Sequence, residues 1–305
     1  MIAEAPTQDY QQLRPYLFSV AYRLTGSASD AEDLVHDAWI RYLDAERPKV
    51  DSLRAWLTTT VSRLALDYLK SARVRREHYT GMWQPEPVMT AEAVGGPEEA
   101  VEQREAVSLA FLTLLEQLGP EQRVVYVLRE GFAMSYGEIA AHLDKSVANC
   151  RQIFRRAQQR LNGRVRPSVG PDGEHAALAE RFLLAISTGD AAQVAVLLTE
   201  DVVWISDSGG KRLSVQRPIV SVDKVSRGWA GLARKLPQDG RYVFEPAHIN
   251  GAPAIVVREF GVLDRVMAFD VFDGRIAAIR VLMNPDKLRH LERRLGGQGS
   301  HDIAT

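Results

Sequence analysis

Ser135-Tyr136-Gly137-Glu138-Ile139-Ala140-Ala141-His142-Leu143-Asp144-Lys145-Ser146-Val147-Ala148-Asn149-Cys150-Arg151-Gln152-Ile153-Phe154-Arg155-Arg156-Ala157-Gln158-Gln159-Arg160-Leu161 reads as two short helices around a polar turn. Ser135 and Glu138 stand at capping-box spacing, so each side chain can satisfy a backbone donor of the first turn. Ile139, Ala140 and Leu143 give that helix an apolar face. Asp144-Lys145 is the turn, and Ser146 is a natural cap for the second helix. Val147, Cys150, Phe154, Ala157 and Leu161 recur at helical spacing and are expected to face the core. Ala148, Arg151, Gln152, Arg155, Arg156 and Gln159 are left on the outer face. Between Lys145 and Arg166 there are seven Lys or Arg and no acidic residue. A solvated helix hairpin would need the charge alone. Cap, turn, cap and a one-sidedly basic second helix together point to duplex DNA. Arginine neutralises phosphates with release of counterions, and Arg or Gln can form paired contacts to guanine or adenine edges in the major groove.

The rest of the composition sets limits. A chain of 305 residues is long enough for two or three domains. With 46% hydrophobic and 25% charged residues it is ordinary for a globular protein. The net charge of −1 means that attraction to a polyanion must come from local clusters. No run of eighteen apolar residues suggests a membrane span, and Met1 to Pro6 lacks the pattern of a secretory signal, so a cytoplasmic location is expected. A single cysteine, Cys150, excludes an internal disulfide and a cysteine-rich zinc site. The seven histidines show no metal-ligand spacing, and neither metal nor cofactor is expected.

Gly and Pro punctuate the chain twice. Glu77 to Pro97 carries Pro85, Pro87 and Gly95-Gly96-Pro97, and Asn162 to Gly173 carries Gly163, Pro167, Gly170, Pro171 and Gly173. The expected organisation is a helical domain over 1–78, a linker over 79–100, a second helical domain over 101–166, an α+β domain over 174–295 and a tail over 296–305. In the first part, Ser29 and Glu32 have capping-box spacing. The stripe Ala31, Leu34, Val35, Ala38, Trp39, Tyr42 and Leu43 follows. Asp33 and Asp37 lie one turn apart off that stripe, beside His36 and Arg41, where they can pair with a basic partner helix. A second helix from about Ser52 carries Leu53, Trp56, Leu57, Val61, Leu64, Ala65, Tyr68 and Leu69, and ends in Lys70, Arg73, Arg75 and Arg76. Such a surface can hold the backbone of an opened strand, although Trp56 has the spacing of a core residue. In the last part, helices over Ala176 to Ser187 and Ala191 to Leu198 precede β-rich runs at Arg241 to Phe244, Ala254 to Phe260, Arg265 to Phe272 and Ile276 to Leu282. Asn250-Gly251 and Asp273-Gly274 are hairpin signals within them. Helices followed by an antiparallel meander predict an α+β fold.

These residues resemble a known family. Ala31-Glu32-Asp33-Leu34-Val35-His36-Asp37-Ala38-Trp39 resembles region 2.2 of bacterial sigma-70 factors of the extracytoplasmic-function group. Arg54-Ala55-Trp56-Leu57 through Arg63-Leu64-Ala65-Leu66-Asp67-Tyr68-Leu69 resembles regions 2.3 and 2.4, and Pro120-Glu121-Gln122-Arg123 through Leu161 resembles region 4. The remainder is similar to a SnoaL-like domain, a conical α+β fold of the nuclear-transport-factor-2 type. The expected fold class is therefore multidomain: two all-α sigma domains and then the α+β cone. Three short motifs mark a subgroup with this fusion: Trp83-Gln84-Pro85-Glu86-Pro87, with Gln where Leu is usual; Asp207-Ser208-Gly209-Gly210-Lys211; and Asn284-Pro285-Asp286-Lys287-Leu288.

The resemblance implies a partner, core RNA polymerase, docked through Asp33, Leu34, Asp37 and Arg41. It implies −10 promoter contacts by Arg63, Lys70, Arg73, Arg75 and Arg76, with the loop from Asp44 to Ser52 holding a flipped base. It implies −35 contacts by Asn149, Arg151, Gln152, Arg155, Arg156 and Arg160. Within that set, Arg151, Gln152 and Arg155 are the preferred base readers, and Arg156 and Arg160 suit phosphates. The regulatory contacts are Trp83, Pro85, Glu86, Pro87, Asp207, Gly209, Gly210, Lys211, Asn284, Pro285, Asp286 and Lys287, by which the last domain would touch the linker or the sigma domains. His248, Asp264 and Asp270 are titratable residues near the sheet, but they make no acid-and-base pair, and no catalytic residue is assigned. Two other readings are a SnoaL-like isomerase or hydrolase with a DNA-targeting front end, and a ligand-responsive helix-turn-helix regulator. The second leaves the acidic and basic helices of the first part without a role.

Overall fold

The computed structural model describes residues 5–45, 52–77, 79–90, 107–161, 172–237 and 239–298. They form two compact units. The first comprises Met1–His78 with Ala91–Val165, and the second comprises Tyr79–Thr90 with Arg166–Thr305. The first twelve residues of the expected linker thus belong to the C-terminal body.

The first unit is all helical. Helices α1 (Ala5–Thr25), α2 (Ala28–Asp44) and α3 (Leu53–Glu77) pack together. Their apolar faces meet in an aromatic run: Tyr10 stacks on Trp39 at 4.3 Å, Trp39 on Tyr42 at 5.4 Å, and Trp56 stands edge-on to Tyr42 at 5.4 Å. Helix α2 begins earlier than the Ser29–Glu32 spacing predicts. Gly26 takes a φ of +69°, and Ser27 then caps the helix by accepting the Asp30 amide at 3.2 Å. The left-handed turn at glycine, absent from a helical-periodicity reading, decides that boundary.

Helices α4 (Leu109–Leu115) and α5 (Pro120–Tyr126) follow, then a π-helical turn at Val127–Gly131, then α6 (Tyr136–Leu143) and α7 (Val147–Leu161). The capping box at Ser135 and Glu138 is present in both directions. Asp144 takes the left-handed conformation, φ 53°, that ends α6. Ser146 accepts the Asn149 amide at 3.2 Å and so starts α7. Cys150, Ile153, Phe154, Ala157 and Leu161 are buried. Val147, expected in the core, is 39% exposed, and Ile153 takes the inward position.

The second unit is built on one six-stranded sheet. Helices α8 (Asp172–Ser187) and α9 (Ala191–Ala195) lead to β1 (Leu198–Asp207), β2 (Ile219–Val220) and α10 (Val222–Ala233). The meander β3 (Tyr242–Ile249), β4 (Ala252–Glu259), β5 (Val262–Phe272) and β6 (Arg275–Leu282) follows, then α11 (Pro285–Gln298). The spatial order is β2-β1-β6-β5-β4-β3, with β1 and β6 parallel and the other neighbours antiparallel. Both expected hairpin turns are where Asn-Gly and Asp-Gly place them, with positive φ at Asn250, Gly251, Asp273 and Gly274. Alternate strand residues (Ile255, Val257, Met267, Phe269, Val271, Ile279 and Val281) pack against Phe182 of α8, Val194 of α9 and Trp229 of α10. The other alternate set, including Val256, Val266, Ala268 and Arg280, is also buried. On this side Gln84 lies within 3.5 Å of Arg280.

Candidate nucleic-acid interface and linker clamp

Helix α7 presents its cations outward. Asn149, Arg151, Gln152, Arg155, Arg156 and Arg160 are all exposed, above the buried row that fixes the helix to α5 and α6. In the turn before α7, Lys145 is drawn to Glu121 at 3.0 Å and is mostly covered. The aim of α7 is set by packing, because Phe154 stacks on Tyr126 at 5.7 Å and stands edge-on to Tyr136 at 5.8 Å.

The α2 surface divides as the carboxylate spacing requires. Asp33, His36, Asp37 and Arg41 are exposed on one side. Leu34 is 9% exposed and lies within the bundle. There it supports the helix that carries the charged face.

On α3, Lys70 is exposed and pairs with Asp67 at 3.0 Å. The side chains of Arg73, Arg75 and Arg76 lie outside the described residues, as does most of the segment proposed to hold a flipped base. Arg63 is exposed on α3 and also makes a bond within the fold. Its Nε donates to the His142 carbonyl at 2.8 Å, and Thr59 Oγ1 lies 2.5 Å from His142 Nδ1. Helix α3 therefore packs directly on α6, and a second tie joins Arg23 Nη1 to the Gly131 carbonyl at 2.7 Å with Phe132 under the guanidinium. A sequence reading by domains missed this seam, because no local pattern links Arg63 to His142.

The seam titrates. Burial holds the His142 imidazole below its ordinary value of 6.5; Arg63 adds to the depression and Glu138 opposes it. As pH falls, the unfolded chain takes up this proton first, so the seam's contribution is full above about 6.5 and drains below it. The thermal midpoint of the full chain is expected to fall between roughly pH 7.5 and 5.5, and His142→Gln should flatten that part of the curve. The same pH dependence in the variant would remove His142 as its source.

In the second unit the three short motifs meet. The Asp207 carboxylate, fully buried, accepts from Tyr79 Oη at 2.5 Å, from the Gln84 amide at 2.8 Å and from the Gly209 amide at 3.1 Å. Lys287 Nζ pairs with it at 2.7 Å and also donates to the Gln84 carbonyl. The ammonium lies 4.7 Å from the Tyr79 ring centre and 4.4 Å from that of Trp83. Burial and the Asp207 bond push the Tyr79 phenol far above its ordinary range, so it stays a donor. Asn284 donates to Tyr79 Oη at 2.9 Å and caps α11 by accepting the Asp286 amide at 3.1 Å. Lys211 is ion-paired with Asp286, which holds that carboxyl below its usual range.

The paired glycines are explained by space. At Gly209, φ 58°, a Cβ would stand 2.4 Å from the Asn284 side chain; at Gly210, φ 72°, it would stand 2.9 Å from Thr80. Pro85, Glu86, Pro87 and Val88 are buried along the same segment. Its far end is tied to the β3–β4 turn, where Val88 and Asn250 exchange two bonds at 3.1 Å and Thr90 accepts the Gly251 amide at 3.1 Å. Residues 79–90 are thus a strap fastened at both ends. Asp264 is engaged by Arg212 and Arg265, and Asp270 by Arg280; His248 is exposed on β3.

A three-helix bundle with a charged face and a basic helix-turn-helix together define a promoter-recognition protein of the sigma-70 class. Residues 9–75 match the Sigma-70 region 2 family and residues 108–161 match Sigma-70 region 4. The chain belongs to the extracytoplasmic-function RNA polymerase sigma factors. It is 38% identical to the sigma factor SigJ of Mycobacterium tuberculosis, over 96% of this chain and 98% of that one. It is 34% identical to the probable sigma factor SigI of the same organism, over 93% and 95%. The crystal structure of Mycobacterium tuberculosis SigJ superposes with a TM-score of 0.74 at 35% identity, covering 93% of this chain and 98% of that one. The likeness runs through both sigma domains and the C-terminal sheet domain, and it does not favour the enzyme or repressor readings. No described helix is long and apolar enough to cross a membrane.

Proposed function

We propose that this transcription initiation factor reads the −35 element with the outer face of α7, docks on core RNA polymerase through Asp33, Asp37 and Arg41, and is modulated by its own C-terminal domain through the strap. A cytoplasmic location follows from that partner. The observation that carries the regulatory part is the node at Asp207 and Lys287, which holds the chain immediately after α3. Sixteen residues, 91–106, then separate the strap from the described start of the second sigma domain, a reach of at most roughly 55 Å when fully extended. Freeing the strap adds its twelve residues to that leash. A tether of this kind sets how often both halves engage one promoter.

The test leaves the buried ion pair intact. A Tyr79→Ala/Trp83→Ala variant loosens the strap and keeps Asp207 with Lys287. In a reconstituted assay it should bind core polymerase as the parent does, become protease-sensitive within 79–90, and raise promoter-specific transcription by several-fold. Output identical to the parent with a demonstrably freed strap would overturn the regulatory reading.

A further inference from the structure

The first residue of α6 stands beside the recognition helix in a way that the DNA contacts alone do not explain. Tyr136 is half-buried, with its ring edge-on to Phe154 and an interplanar angle of 71°. Phe154 in turn stacks on Tyr126, and Tyr126 packs on Phe111 at 6.2 Å. This aromatic column fixes the ring from the core side. The Arg151 guanidinium lies over the same ring at 5.7 Å from its centre, and that of Arg129 at 4.9 Å. Arg129 is itself held by donating to the Met134 carbonyl at 2.8 Å. Arg151 is exposed and has four rotatable side-chain bonds, so unsupported it would sample many directions.

We infer that Tyr136 is a positioning residue for sequence recognition: its ring restrains the Arg151 guanidinium before DNA arrives. A guanidinium over an aromatic face is attracted by the ring quadrupole, and a donor fork that is already aimed loses less freedom on pairing with a base edge. A phosphate contact tolerates a wandering cation; a bidentate base contact does not. Tyr136 therefore acts on discrimination at one base pair and leaves the electrostatic affinity alone. The inference rests on the proposal that α7 reads the duplex through Arg151.

The experiment uses holoenzyme assembled from the full chain and core RNA polymerase. The wild-type complex selects promoter fragments from DNA randomised across the upstream element, and the best fragment is then varied one base pair at a time. Tyr136→Leu should reduce discrimination at a single base pair by about three- to fivefold, the scale of an exposed cation–π contact, with the salt slope unchanged. Tyr136→Phe should behave as wild type. In an Arg151→Ala background, Tyr136→Leu should add nothing at that base pair. Wild-type discrimination in Tyr136→Leu, or an equal loss on every sequence that persists without Arg151, overturns the inference and leaves Tyr136 a core residue of the hairpin. If Arg151→Ala itself changes no preference, base reading by Arg151 fails, and the positioning role fails with it.

Discussion

Lys287→Met is expected to cost the C-terminal domain about 3–5 kcal/mol, the scale for stranding one member of a buried ion pair. Asp207 is fully enclosed, and its other partners are neutral donors: the Tyr79 hydroxyl and two backbone amides. They bond the carboxylate but supply no opposite charge. The same substitution also removes the donor to the Gln84 carbonyl and the cation over Tyr79 and Trp83, so the strap loses three holds at once. Urea unfolding of the full chain should show the transition of this domain moving to lower denaturant, and limited proteolysis should cut within 79–90. Asp207→Asn/Lys287→Met should recover most of the loss, because no unpaired charge remains. A single variant within about 1 kcal/mol of wild type would show that the pair is solvated, and the clamp would lose its electrostatic basis. Well-packed apolar groups can replace such a pair without loss of stability. What the pair adds here is orientation: it recognises the carbonyl and amide of Gln84, and so fixes which residues of the strap sit at the node.

Arg155→Ala is expected to weaken binding of the upstream duplex by about 1–3 kcal/mol if the guanidinium meets a base edge. If it holds a phosphate, the salt slope should flatten by about one unit and the loss should be similar on all sequences. Arg155 is exposed on α7 and sits next to the buried Phe154, which fixes the direction in which its stem leaves the helix. A titration of holoenzyme on promoter duplex at several salt concentrations separates the two outcomes. Unchanged affinity with an unchanged slope would take Arg155 out of the interface.

The competition at Arg63 adds a constraint that neither result addresses. Its Nε is committed to the His142 carbonyl, so while α3 packs on α6 a strand contact by Arg63 falls to its remaining N–H donors. The sequence marks Arg63 as a basic residue on a helix above an aromatic stripe, and it gives no indication of this second role.

The local sequence determined the helix-turn-helix, the charged side of α2 and both hairpin turns. Each depends on spacing within a few residues: a cap and its partner three positions on, apolar residues at helical period, or Asn-Gly between β-rich runs. The three short motifs stood out only through the resemblance to a family. The local sequence did not locate β1, β2, α10 or α11. β1 begins with Leu198-Thr199-Glu200-Asp201, which has no alternation, and α10 carries two glycines that depress helix propensity. Both are fixed by the shared core of Trp204, Phe182 and Trp229. Only the tertiary structure decided that Tyr79 to Thr90 is a strap and no free linker. Its bonds reach across 123 to 203 residues of chain, from Gln84 to Asp207 and to Lys287. The same holds for α3 on α6, where Arg63 meets His142 across 79 residues. Propensity and periodicity act along the chain, whereas a buried charge can be paired only by whatever the completed fold brings to it.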